Sequence, residues 1–506
     1  MNYNNKKSLI IPSIICFLAA LLISVKFSFP ISWDVFYHIH MAKLYQANGL
    51  IFWDYLTVAP VGRLIMYPPL IHLFMAFISN ITTLNVVSVT RFLQPFFGFF
   101  MITSITYTSY LLTDKRCAFF TGILSLLCFV TFNRAVITTP ATLAISFFML
   151  CCSFYFKAFN DKNMKYLLIS AVLFGIIANL HMATFIITCG VIALYSLIMI
   201  VRRKVLYKYL GVFMLIALPI AFIWWAYVEL KYGLFFKSTG GSFMFIGEFL
   251  VKYFGIIPSI LLIYGTYSLI KDRSETSIFI LIWMLSVVAL SQCPLIGINT
   301  ISIRILEVAA YPMIIVTGIG FSKLYDKIKN EKNHKIITLL LICYASITCI
   351  VYADSYTPDV IDDTQNTTQI LPSVVHEVVD PVGYFLKPSI ITSRYGDISL
   401  AHSRYQVMDW FLNNTNGSLC VCEDSIMDTI IVSTSNTPVI YGGFTESIPD
   451  YVTDPVHIVG GYSTASEIHD LGIGYILLDH NTNTPTYANV VYTNEHYKIC
   501  TIKMGV

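Results

Sequence analysis

Apolar runs close to the 17–25 residues that cross a hydrocarbon core succeed one another over the first 350 residues of the chain. They fall at 8–30, 87–113, 117–132, 141–156, 166–180, 183–200, 206–228, 254–270, 277–290, 306–321 and 336–351, which gives about eleven spans. Residues 67–81 are also apolar. A stretch of about fifteen residues behind a Pro-Pro pair is short for a crossing, so it is read as an interfacial or re-entrant helix. The run 8–30 is too long for a signal peptide and lacks a small-residue cleavage site, so it is read as a retained span.

The polar breaks orient these spans, because loops on the cytoplasmic side collect Lys and Arg. Lys6-Lys7, Lys115-Arg116, Lys157 with Lys162 and Lys165, Arg202-Arg203-Lys204, Lys271 with Arg273, and the Lys323–Lys335 cluster fall on every second break. The N-terminus is therefore expected to be cytoplasmic. An odd number of spans puts residues 31–86 and the C-terminal part outside. Composition agrees: 506 residues are 56% hydrophobic and 12% charged, with a mean hydropathy of +0.69. The net charge of +3 conceals a division, since residues 1–353 carry 27 Lys and Arg against 11 Asp and Glu, and residues 354–506 carry 5 against 18.

The expected organisation is a multi-span domain over 1–353, with its first exterior loop at 31–86, then a linker over 354–388 and an exterior domain over 389–506. In the last part, Ala401, Tyr405, Met408 and Leu412 are spaced for a helix, while 419–421, 438–441, 475–478 and 497–502 read as short strands. A small α/β domain follows. Four N-x-S/T sequons, at Asn80, Asn366, Asn413 and Asn416, all fall on the sides assigned as exterior. Most of the twelve cysteines are single residues in apolar runs, where they act as small hydrophobes. Cys420, Cys422 and Cys500 leave two possibilities open, one disulfide or three free thiols.

The first exterior loop carries the densest chemistry: Asp34, Tyr37-His38, Gly49, Asp54, Pro60-x-Gly62-Arg63 and Pro68-Pro69-Leu70. An ionisable group at the membrane surface is costly and marks function by default. A carboxylate there can take a proton from an attacking group or hold a metal, and an arginine can clamp a phosphate. The bland alternative makes Asp34 a helix cap, Arg63 a snorkelling side chain, and His38 and His40 surface polar residues. Arg304, at the exterior start of a late span, offers a bidentate partner to a phosphate. Its alternative is a pair with Glu307 on its own helix. His181, at an exterior turn, is read either as a local cap or as a cavity residue, and Trp224-Trp225 as part of an aromatic belt. The loop 230–253, with Gly240-Gly241, is read as a lid or a plain connector.

In order and spacing, the residues of the first loop resemble that of the GT-C membrane glycosyltransferases, which include oligosaccharyltransferase catalytic subunits and protein O-mannosyltransferases. The agreement is confined to residues 33–72, with a looser echo at Arg304, and points to a prokaryotic, archaeal-type member. The resemblance implies a polytopic α-helical membrane protein with a small C-terminal exterior α/β domain. It also implies a lipid-linked sugar donor on a polyprenyl phosphate, and a glycan, lipid or protein acceptor on the non-cytoplasmic face, with no nucleic acid involved. Asp34 matches the catalytic acid. His38, Asp54, Arg63, Arg304, Glu307 and His181 are the expected substrate- or phosphate-binding residues. Two features depart from the pattern: residues 133–140 contain no Asp or Glu, which leaves a divalent metal doubtful, and the acceptor-reading Trp-Trp-Asp signature is absent. Two further classes remain beside the enzyme: a transporter of lipid-linked glycans, and a scaffold with a degenerate core.

Overall fold

In the computed structural model, residues 6–204, 206–233, 241–355, 360–363, 398–442 and 455–503 are described. Most of the expected linker and part of the expected lid, including Asn366 and Gly240, lie outside these residues.

Among the described residues, fifteen α-helices lead up to Ser355: α1 (Ile11–Lys26), α2 (Trp33–Asn48), α3 (Leu70–Thr82), α4 (Val86–Leu112), α5 (Lys115–Leu127), α6 (Phe129–Ala135), α7 (Pro140–Asn160), α8 (Met164–Ala178), α9 (Met182–Val201), α10 (Tyr207–Tyr232), α11 (Ile246–Phe249), α12 (Ile256–Asp272), α13 (Glu275–Ser291), α14 (Ser302–Tyr325) and α15 (Glu331–Ser355). Every apolar run of the sequence becomes a helix, as it must where lipid offers the backbone no hydrogen-bond partner. The expected count of eleven spans is not confirmed. Among the described residues seven helices are long and apolar enough to cross, and an eighth arises if α5 and α6, bent by 82° at Cys128, form one broken span. α8, α12 and α13 have only 15 to 17 residues. α3 is a short 13-residue helix, as its length and Pro-Pro start predict.

The interior of the bundle is built on α14 and α7, whose apolar windows are 83% and 78% buried against 33% for α10. α10 and α12 turn Leu215, Ile223, Leu230 and Ile263 outward, the uniformly apolar surface expected of helices that face lipid. α12 and α14 approach closely at Gly265 and Gly320, where an added Cβ would meet the Val316 and Leu261 carbonyl oxygens at 2.1 and 2.2 Å. Small residues are the usual means of such close approach.

Among the described residues four helices, α16 (Ile398–Asn414), α17 (Ser425–Ser435), α18 (Pro455–Val459) and α19 (Ala465–Asp470), accompany a four-stranded sheet of β3 (Leu419–Cys422), β4 (Ile473–Asp479), β5 (Ala488–Thr493) and β6 (Tyr497–Ile502) in the order β3-β4-β6-β5. β1 and β2 are the short antiparallel pair Trp53–Asp54 and Arg63–Leu64 in the first loop. β3 and β4 are parallel, and the other pairs are antiparallel. The expected strands at 419–421, 475–478 and 497–502 are present. The segment expected at 438–441 is extended and bridges on both sides, Val439 pairing with Cys420 and with Thr57. The first loop therefore continues the C-terminal sheet, through Val439 N to Leu56 O at 2.8 Å, Ala59 N to Val439 O at 3.0 Å and Val58 N to Tyr441 O at 3.1 Å. Cys420, Cys422 and Cys500 are free thiols, and the Cys420 and Cys422 sulfurs stand 3.7 Å apart.

Candidate functional site

α2 begins three residues beyond the Pro30 that closes the first apolar run, and it carries Asp34 in its first turn, where a helix N-terminus favours negative charge. The Asp34 side chain makes no capping bond; Ser32 is the N-cap residue, also without one. Oδ1 of Asp34 is buried with no hydrogen-bond partner among the described residues. Its carboxyl is held above the usual range by burial, which outweighs the opposing charges of Arg304 and Arg134; Glu307 adds to the rise. Four charged side chains thus act on one another: Asp34 from α2, Arg134 from α6, and Arg304 and Glu307 from the first two turns of α14. Val35, next to Asp34, and Val136, two residues beyond Arg134, line one crevice with Ile31, Gln94 and Thr138.

Glu307 pairs across helices rather than with Arg304. Arg134 Nη2 donates to Glu307 Oε2 at 2.7 Å. Arg304 is exposed, and its guanidinium makes no hydrogen bond or ion pair among the described residues. His181 is the N-cap of α9, its Nδ1 standing 2.9 Å from Thr184 Oγ1 and accepting from Thr184 N at 3.3 Å. Burial and the positive charges of Arg134 and Arg304 lower it to about 3, so it stands neutral beside the cluster. Of the two readings of His181, the cap is present.

Arg134 is the residue that sequence reasoning passed over, since its segment drew notice only for lacking acids. A signal was present. It is a lone arginine in a break that the charge alternation expects to be poor in Lys and Arg.

Three other expected binding residues, Asp54, Arg63 and His38, are internal. Asp54 is fully buried: its Oδ2 takes His40 Nε2 at 2.9 Å and Thr57 Oγ1 at 2.5 Å, and its Oδ1 takes Leu56 N at 2.9 Å. Those bonds and the Arg63 charge hold its carboxyl below the ordinary range despite burial. Arg63, 2% exposed, donates from Nε to Thr57 Oγ1 at 2.8 Å and lies 5.4 Å from the Tyr37 ring centroid. The bend that brings it there needs Gly62 at φ +80°, where a Cβ would sit 2.6 Å from the Asp54 carbonyl oxygen. His38 Nδ1 meets His72 Nε2 at 2.9 Å inside the α2–α3 contact, and burial holds both rings neutral, His72 at about 3. Trp224 and Trp225 are likewise buried, not belt residues, and donate to the Met66 and Ala178 carbonyls at 3.4 and 3.1 Å.

The donor set does not fit a divalent metal. Asp34 and Glu307 are the only carboxylates in the cluster, and the Arg134 guanidinium already occupies Glu307. Among the described residues no group of three or more His, Cys, Asp or Glu is placed to hold an ion.

No family model and no curated protein matches the chain. Solved structures do. ArnT from Cupriavidus metallidurans, bound to undecaprenyl phosphate, matches with a TM-score of 0.59 at 12% identity over 99% of both chains. The Archaeoglobus fulgidus oligosaccharyltransferase matches with a TM-score of 0.58 at 13% identity, over 92% of this chain and 69% of its own. The mycobacterial arabinofuranosyltransferase AftD matches with a TM-score of 0.59 at 11% identity, over 98% of this chain and 40% of its own. Long apolar helices, a small C-terminal sheet and these likenesses together give the chain the fold of the GT-C membrane glycosyltransferases.

Proposed function

We propose that the protein transfers a sugar from a polyprenyl-phosphate-linked donor to an acceptor on the non-cytoplasmic face, with residues 389–506 forming an exterior domain there. The observation that carries this reading is the cluster itself: a carboxyl with a buried, partnerless oxygen under the charges of two guanidiniums, one of them without an ion pair among the described residues.

In the reaction, the acceptor O–H or N–H attacks the anomeric carbon of the donor sugar, and its proton passes to Asp34. The bond between that carbon and the phosphate oxygen breaks, and its electron pair leaves with the phosphate. Arg304 faces the charge that grows on the leaving oxygen, so it stabilises the transition state more than the ground state. Burial that raises the carboxyl also makes Asp34 a stronger base once ionised. Arg134, held by Glu307, adds positive charge beside the phosphate without leaving that pair. Asp54, His40, Thr57 and Arg63 keep the loop in shape around α2.

Incubating the purified protein with radiolabelled polyprenyl-phosphate sugars tests the reading. Release of sugar from the lipid with formation of free polyprenyl phosphate supports it. Donor that is bound or moved across a vesicle membrane with its sugar–phosphate bond intact identifies a scaffold or a transporter instead.

A further inference from the structure

The four charges of the cluster are unequally engaged. Arg134 closes α6, just beyond the bend from α5, and its pair with Glu307 is shielded, with side-chain exposures of 17% and 29%. Arg304 carries no such pair, and Asp34 has an oxygen with no partner. Two guanidiniums thus face two carboxylates, and the sum is neutral. Arg91, which lines the same crevice as Val35, is committed through Nη2 to the Ser24 carbonyl at 2.8 Å. Among the described residues, no further cation acts on Asp34.

A ligand with one phosphate brings its charge to Arg304 and leaves the Arg134–Glu307 pair intact. A pyrophosphate brings a second charged group. That group meets either a carboxylate, Asp34 or Glu307, or an arginine that must first leave Glu307. Removing one partner from a shielded ion pair strands the other charge, which is costly.

We infer that Arg134 and Glu307 together set donor class, selecting lipids joined through a single phosphate and rejecting those joined through a pyrophosphate. Glu307 acts twice, by keeping Arg134 occupied and by repelling a second phosphate. This inference rests on the reading that the cluster takes a polyprenyl-linked donor.

The test measures binding of undecaprenyl phosphate and of undecaprenyl pyrophosphate to the full chain in nanodiscs, in wild type and in Glu307→Gln. The wild type is expected to bind the monophosphate at least tenfold more tightly. Glu307→Gln, which frees Arg134 and removes a negative charge, is expected to tighten pyrophosphate binding and shrink that ratio at least fivefold. Equal affinities in the wild type, or a preference for pyrophosphate, would overturn the inference without recourse to any variant. So would a folded Glu307→Gln protein that keeps the wild-type ratio, since a purely structural pair changes both affinities together. The two readings fail separately. A tenfold preference with no sugar released from any donor removes the transfer reading and leaves the selection in place, whereas transfer without preference does the opposite.

Discussion

At Asp34 burial favours the neutral acid while Arg304 and Arg134 favour the carboxylate, and burial is the larger effect. A base must be ionised, so transfer is expected to rise with pH along a limb lying above the ordinary aspartate value of 3.8. Arg304→Gln removes an opposing cation and should move that limb to higher pH, as well as weakening transfer; a pH profile of single-turnover rate reads both. Asp428 in α17 presents the opposite case for stability. It is buried against Cys422 and Gly442, its Oδ1 has no hydrogen-bond partner, and burial pushes its carboxyl up to about 8. The folded chain then holds a proton between about pH 4 and 8 that the unfolded chain has lost. Stability of the C-terminal sheet should fall as pH rises through that window, by at most about 1.4 kcal/mol per pH unit. Asp428→Asn should flatten the slope in thermal melts taken from pH 5 to 8. Asp34 and Arg304 were legible in the sequence because each is a charge kept at a membrane edge. Arg134 was not, since its meaning depends on Glu307, 173 residues away.

Among the elements, the first loop shows how polar residues become structure. Asp54, His40, Thr57 and Arg63 form one closed network under α2, and the Pro-x-Gly bend at Gly62 exists to admit the strand pair β1–β2. Asp54→Ala leaves His40 buried without its acceptor and Arg63 buried without its opposing charge. The expected cost is about 3 kcal/mol, seen as a lowered melting temperature, with transfer falling only as the folded fraction falls. Spacing alone could not separate this network from a substrate site, because a buried carboxylate and a catalytic one have the same letters. Helix existence was readable throughout, while the number of spans was not. An apolar run shows that a helix avoids water, not whether lipid or protein covers it, and α8, α12 and α13 are short.

Across the whole molecule, the loop that carries Asp34 and the sheet at the far end of the chain are one hydrogen-bonded unit. Leu56–Ala59 pairs with Val439–Tyr441, Lys43 Nζ of α2 donates to the Thr434 carbonyl at 3.2 Å, and α2 packs on α17. The C-terminal part thereby positions the helix that carries Asp34, a role that composition and charge gave no means of seeing. The strands β3, β4 and β6 were evident from their β-branched and aromatic runs; β5 was not, because Val490 and Val491 both lie exposed on an edge. Val439→Pro deletes the donor to Leu56. It should increase protease cleavage within 49–62 and reduce transfer, while the helical bundle stays folded by circular dichroism.

The central claim is that Asp34 takes the acceptor's proton during sugar transfer from a polyprenyl-phosphate donor. The most direct measurement is the single-turnover rate of sugar release from that donor by wild type and Asp34→Asn, with donor binding measured on the same samples. The account predicts that the variant binds donor as well as wild type or better and loses 10²- to 10⁴-fold in rate, the range for a lost general base. A variant that binds donor and transfers at the wild-type rate would contradict it.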